Sequence, residues 1–234
     1  VITPRESGDD SAQRIKLQVD SRLFLKDPTS SELGEDIVEH GILMLDEIGF
    51  EEFTFRKLAQ RIGTTEASIY RYFKNKHFFL LYLTSWYWGW VDYRLQIATS
   101  GVADASERLL CALHELTRPI VKDDSTPRID EIALYRVVVA ESSKAYLQRE
   151  VDSEEREGFF RGYKRVCSIV ADMVRAVNPR YAYPTALVSM VVESSHTQKY
   201  FAKHLPGLTD VKQTEAHGGT TEFLIEMVFR VIAG

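Results

Sequence analysis

Apolar positions along the chain recur at helical spacing rather than in strict alternation. Ile37, Gly41, Met44, Leu45 and Ile48 form one face of a first helix, capped by Ser30 or Ser31 and ended by Gly49. Glu32, Glu35 and Asp36 lie in its first turn, where carboxylates suit the positive end of the helix dipole. Phe55, Leu58, Ala59 and Ile62 follow at i, i+3, i+4 and i+7, with Thr54 as cap, and leave Arg56, Lys57 and Arg61 outside. Gly63 stops this second helix. Thr64 and Thr65 restart the chain as a third, with Ile69 and Phe73 inward, and Asn75 caps a long fourth helix from Lys76. Beyond it, helix-length segments are divided by Gly101, Pro119 to Pro127, Asn178-Pro179, Pro206-Gly207 and Gly218-Gly219, with no convincing strand and no internal repeat. The pattern predicts an all-α chain of about nine helices. Residues 1–30 stand apart as an extension, either a flexible arm or a short hairpin, since Ile15, Leu17 and Val19 alternate, as do Leu23 and Leu25.

The second and third helices, joined at a glycine, imply a helix-turn-helix. Gly63 supplies a left-handed turn, and Ala59 is small enough for the next helix to cross closely above it. With Ile69 and Phe73 buried, Glu66, Ala67, Ser68, Tyr70 and Arg71 project from the other side, and Thr65 stands at its entry. An α-helix presenting such a flank fits the major groove of DNA.

Charge sharpens this picture because it is local. The 234 residues carry a formal net charge of -5, which argues against indiscriminate binding to nucleic acid. Thr54 to His77 nevertheless holds six basic residues, Arg56, Lys57, Arg61, Arg71, Lys74 and Lys76, against the single acid Glu66. Such cations neutralise phosphates, while the hydroxyls of Thr54 and Tyr72 and the start of the fourth helix at Lys76 can set register on the backbone.

The stretch "TFRKLAQRIGTTEASIYRYFKNK" resembles the DNA-binding motif of TetR-family transcriptional regulators, over roughly Leu33 to Leu83. Gly49, Thr54, Leu58, Ala59, Gly63, Tyr70, Tyr72, Phe73 and Lys76 satisfy the family's pattern. Thr64, where an apolar residue is usual, and the acidic first helix depart from it. The resemblance implies an N-terminal DNA-binding domain, 31–77, on a larger helical domain, 78–234, that dimerises and often binds a small molecule. It also implies double-stranded DNA with a pseudo-palindromic operator as partner. The DNA-contact set is Thr54, Arg56, Thr65, Glu66, Ala67, Ser68, Tyr70, Arg71, Tyr72 and Lys76, with Arg56 carried over from the family match.

The larger domain raises two further expectations. Trp86, Tyr87, Trp88, Trp90 and Tyr93 cover much of the fourth helix and serve core packing first. A small-molecule effector could be lined by Tyr87, Trp90, His114, Glu141 and Tyr163. Leu187, Val191, Phe223, Met227 and Val231 mark two apolar stripes that the family resemblance assigns to a homodimer interface, the alternative being burial within one subunit.

Several classes find no support in the residues. Cys111 and Cys167 sit in apolar helical patterns, which suits a reduced cytoplasm, and no metal-ligand spacing, cofactor motif or secretory signal is present. The uncharged run Phe78 to Val91 is shorter than the roughly 20 residues a membrane span needs. No glycine-rich phosphate loop or nucleophile triad suggests an enzyme. The chain is therefore expected to be a DNA-binding regulator, a repressor released by an effector. The competing expectation is a TetR-like scaffold acting through protein contacts, favoured by the acidic first helix.

Overall fold

A computed structural model describes residues 17–123, 125–126, 128–146, 160–214 and 217–233. Nine α-helices occur among the described residues: α1 (Glu32–Glu52), α2 (Phe55–Ile62), α3 (Glu66–Tyr70), α4 (Lys76–Thr99), α5 (Ala105–Thr117), α6 (Glu131–Tyr146), α7 (Arg161–Val177), α8 (Pro184–His204) and α9 (Gly219–Ala233). The one departure from all-helical structure among them is a minimal antiparallel pairing of Gln213–Thr214 with His217–Gly218, a strand pair too short to leave a signal in the sequence pattern.

Helix starts follow the local capping chemistry. The side chains of Ser31, Thr54, Thr65 and Asn75 each accept from a backbone N–H three residues on, satisfying a donor that the first turn cannot. Gly63 ends α2 in the left-handed region at φ 70°, where a side chain would be strained. Gly49 adopts φ 73° inside α1, so the helix kinks there and runs one further turn to Glu52 instead of stopping.

The first four helices share an aromatic core. Phe53 stacks on Phe79 with ring centroids 5.6 Å apart, and Phe73 meets Phe79 edge-on at 4.9 Å and Tyr82 at 5.3 Å. Gly41 makes this packing possible: a Cβ there would lie 2.4 Å from the Phe79 ring. Ile37, Met44 and Leu45 are buried as their spacing predicts, whereas Ile48 lies at the exposed edge. Helix α4 then continues into the remaining bundle, packing on α5, α6 and α7, while α8 and α9 close over α5 and α7.

The described part of the extension is neither arm nor hairpin. Asp20 and Asp27 cap short 3-10 turns at Ser21–Leu23 and Pro28–Ser30. Leu23 is fully buried, Phe24 meets the Tyr82 ring edge-on, and the Leu25 N–H donates to the Tyr72 carbonyl at 2.7 Å. Burying Leu23 and bonding the backbone of Leu25 to α3's end displaces the hairpin that alternation suggested. Ile15, the first residue of that alternation, lies outside the described residues.

Candidate functional site

Helix α3 is only five residues long, yet it is held from three directions. Ile69 is fully buried beneath it, Tyr70 sits edge-on against Phe55 at 5.1 Å, and the Thr65 hydroxyl accepts from the Ser68 N–H. Thr65 Oγ1 also lies 2.9 Å from the Ser68 hydroxyl. The opposite flank is open: Thr65, Ala67, Tyr70 and Arg71 are exposed, and Glu66 and Ser68 are half-buried. Five of the base-reading candidates, Glu66, Ala67, Ser68, Tyr70 and Arg71, thus share one accessible surface on a fixed turn.

The six basic residues of this segment are not equivalent. Arg61 forms a two-pronged pair with Glu47 at 2.6 and 2.8 Å, and this hydrogen bonding holds the Glu47 carboxyl below its ordinary range. Lys57 pairs with Glu52 at 3.1 Å. Lys74 rides over the Phe78 ring. Arg56, Arg71 and Lys74 are exposed and make no ion pair among the described residues. Carboxylates from α1, Glu52 and Glu47, pair with the charges of Lys57 and Arg61.

Two expected DNA contacts are hydrogen-bonded to other parts of the protein. The Tyr72 ring is buried, and its hydroxyl lies 2.7 Å from the Ser31 hydroxyl and accepts from Lys26 Nζ at 3.0 Å. Those bonds, from Ser31 first, lower the phenol's pKa. Tyr72 is therefore a strut tying α3's end to the start of α1. The Lys76 ammonium donates to the carbonyls of Phe50, Glu51 and Phe53 at 2.9, 3.1 and 3.3 Å, capping the negative end of α1. Thr54 remains exposed, its oxygen occupied as acceptor by the Lys57 N–H.

The acidic first helix is also accounted for. Arg128, just ahead of α6, donates to Glu39 and Glu35 at 2.8 and 3.1 Å and makes a close pair with Asp36. Arg136 on α6 donates to Asp46 at 2.8 Å. Sequence reasoning missed this seam because its partners are about ninety residues apart.

The five residues expected around an effector scatter. Tyr87 and Trp90 do line an enclosed cavity of about 10 Å³ with Trp88, Val91, Arg94, Glu115 and His196 among its walls. That volume suits about one water. Tyr163 instead stacks on Trp88 at 4.3 Å and donates to Glu193 at 3.0 Å. His114 is exposed, because its apolar neighbour Leu110 is itself on the outer side of α5. Glu141 is buried at the kink of α1, where it accepts from the Phe50 N–H at 3.0 Å.

Arg94, Glu115 and His196 escaped notice because each sits alone in its own helix. The Arg94 guanidinium lies 4.5 Å over the Trp90 ring and pairs with Glu115 at 2.8 Å, both side chains being only 12% exposed. Arg118 donates to the same carboxylate at 2.7 and 3.2 Å. Burial pushes the Glu115 pKa up and drives His196 down to about 3, so the imidazole is neutral. The Trp90 indole donates to Asp123 at 3.1 Å.

The apolar stripes divide between inside and outside. Leu187 and Val191 are buried within the subunit, so they leave the proposed interface; the outer face of α8 carries Met190 instead. On α9, Phe223 and Val231 are 44% and 45% exposed and Met227 is half-buried, while Leu224, Val228 and Ile232 fill the core.

Among the described residues no group of three or more His, Cys, Asp and Glu side chains could hold a metal, and no helix is long and apolar enough to cross a membrane.

Residues 37–83 match the family model of bacterial regulatory proteins of the tetR family. No curated protein matches the sequence. Similar solved structures include a transcriptional regulator from Saccharomonospora viridis in complex with choline, with 17% identity over 85% of this chain and 94% of that one and a TM-score of 0.55. The TetR-family regulator PfmR from Thermus thermophilus shows 16% identity, 85% and 97% coverage and a TM-score of 0.55. The superantigen PfiT shows 15% identity, 88% and 97% coverage and a TM-score of 0.57. The chain thus matches the tetR-family model over residues 37–83 and shares the helical fold of these structures. PfiT's description as a superantigen makes the site, rather than the fold, the ground for a functional reading.

Proposed function

We propose that the protein is a sequence-specific DNA-binding transcriptional regulator of the cytoplasm, a homodimeric repressor released by a small-molecule effector. One observation carries this reading: α3 presents Tyr70 and Arg71 outward from a turn that Gly63, Ile69 and the caps hold fixed, with Arg56 exposed beside it on α2. Base edges would be read by Arg71, Tyr70, Ser68 and Ala67, and by Glu66, which can accept from cytosine. Phosphates would be met by Arg56, Thr54 and Thr65. Tyr72 and Lys76 serve by positioning these groups.

The second copy belongs against Met190, Phe223, Met227 and Val231, an apolar face that a twofold axis would cover with itself. Two reading helices would then meet successive major grooves about one helical turn apart, on a pseudo-palindromic operator. An effector held in the α4–α5 region would act by favouring a spacing that mismatches those grooves. The structure of the Saccharomonospora viridis protein in complex with choline supports a small-molecule ligand for this fold. Protein contact through the acidic first helix is disfavoured, since Arg128 and Arg136 already hold four of its carboxylates.

Selection from random duplexes tests the reading. The wild-type chain should recover a symmetric motif and lose affinity steeply as salt rises. Tyr70→Ala combined with Arg71→Ala should erase the motif. Unselective recovery by both proteins rejects sequence-specific binding. Met227→Asp with Val231→Asp should convert the species in solution to monomers; a surviving folded dimer rejects that face.

A further inference from the structure

The described extension and the end of α3 share one exposed patch of positive charge. The Leu25 N–H donates to the Tyr72 carbonyl at 2.7 Å, which fixes this part of the extension beside the C-terminal end of α3. The next residue, Lys26, is exposed; its ammonium lies 4.8 Å from the centre of the Tyr72 ring and donates to the phenol oxygen at 3.0 Å. Lys26 makes no ion pair among the described residues. An ammonium carries three N–H donors and the phenol takes one, so two remain for a partner.

Tyr72 shows why this charge matters. The sequence offers its hydroxyl as a phosphate contact, yet the residue is only 3% exposed and the hydroxyl is taken by Ser31 and Lys26. The cation beside it is the group that meets water at this point of the surface. Arg71 stands close by: after the bonds from Ser31 and Lys26, the charges of Lys26 and Arg71 also hold the phenol below its ordinary range. The neighbouring carboxylates are largely occupied. Asp27 accepts from the Thr29 N–H and hydroxyl, both at 2.8 Å, and Glu35 and Asp36 pair with Arg128. Glu32, exposed in the first turn of α1, is one negative charge against the three of Lys26, Arg71 and Lys74.

We propose that the extension is part of the DNA interface: Lys26, beside Arg71, binds a backbone phosphate of double-stranded DNA at the C-terminal end of α3, the contact that Tyr72 gives up to become its support. The inference rests on the DNA-binding reading of α3 and adds a contact from outside the helix-turn-helix. An ammonium on a phosphate displaces condensed counterions and reads no base. Lys26 therefore adds affinity for any duplex and leaves the preferred sequence alone.

Fluorescence anisotropy of the full chain on a mixed-sequence duplex and on its selected motif, over a series of salt concentrations, tests the contact. Lys26→Gln should lower the slope of log affinity against log salt by about 0.9 for each subunit on the duplex, weaken both duplexes by the same factor and recover the wild-type motif. Lys26→Arg should restore the slope. Lys203→Gln, the same loss of charge at an exposed position on α8, should leave it unchanged. A folded Lys26→Gln protein with the wild-type slope overturns the proposal, as does an equal drop in Lys203→Gln. If Lys26→Gln does not fold, acetylation of wild-type amines decides: bound duplex should protect Lys26, and equal labelling with and without duplex overturns the proposal. A chain that loses slope at Lys26→Gln but selects no motif keeps this contact and defeats the sequence-specific reading. A chain that selects a motif while Lys26→Gln keeps the full slope defeats only this contact, and binding to no duplex defeats both.

Discussion

The two ends of the molecule use arginine in opposite ways. At α2 and α3, Arg56 and Arg71 stand exposed with no ion pair among the described residues. In the α4–α5 wall, Arg94 is nearly enclosed and bound to a carboxylate and an aromatic face. Water stabilises the first pair of charges, so they stay available to a polyanion; the enclosed charge has lost water and needs a built partner. Between the ends lies an intermediate case, the seam in which Arg128 and Arg136 bind α1 carboxylates at the surface. Exposure thus leaves a charge free to pair, whereas enclosure requires a partner already in place.

Several changes would break or sharpen this contrast. The largest effect is expected beneath the reading end, where Phe79→Ala would empty the space among Phe53, Phe55, Phe73 and Gly41. A loss of about 3–5 kcal/mol should appear in urea unfolding, and operator binding should fall with it. A loss below about 1 kcal/mol would show the aromatic core to be dispensable.

The cavity end should instead show a pH signature. Burial lowers the His196 pKa to about 3 in the folded chain, against about 6.5 when unfolded. Between those values the unfolded chain binds the extra proton, so stability contributed by the neutral ring falls as pH drops through this window. The slope is about 1.4 kcal/mol per pH unit, and it vanishes above the unfolded value. Urea unfolding of wild type and His196→Gln at several pH values checks this: the variant should lose that part of the acid sensitivity. Parallel curves would refute the assignment.

A smaller effect is expected where the ends meet. Glu141→Leu leaves the Phe50 N–H at the α1 kink without its carboxylate acceptor, at a cost of about 1–3 kcal/mol. Hydrogen exchange should quicken at 50–53, near the reading end, although the altered residue lies on α6. Unchanged exchange there would show that the Glu141 contact does not hold the end of α1. The smallest effect belongs to Arg61→Gln, which removes a solvent-exposed pair with Glu47. It should leave the selected motif unaltered, in contrast to the double change at Tyr70 and Arg71; an altered motif would give Arg61 a reading role.

Sequence alone determined the local events of this chain. Ser31, Thr54, Thr65 and Asn75 each act on an N–H three residues away, and Gly63 answers only to its own backbone, so helix starts, the turn and the outward flank of α3 could be read directly. Periodicity also revealed apolar stripes, because one helix imposes them. Tertiary structure decided which stripe faces inward, placing Leu187 and Val191 in the core and leaving Phe223 and Val231 outside. It likewise sent Tyr72 to Ser31, Lys76 to the end of α1, Glu141 to the kink and Arg94 to Glu115. A charge or hydroxyl chooses among partners brought near by the packing of distant helices, and that choice depends on distance and lost water, neither of which is written in residue order.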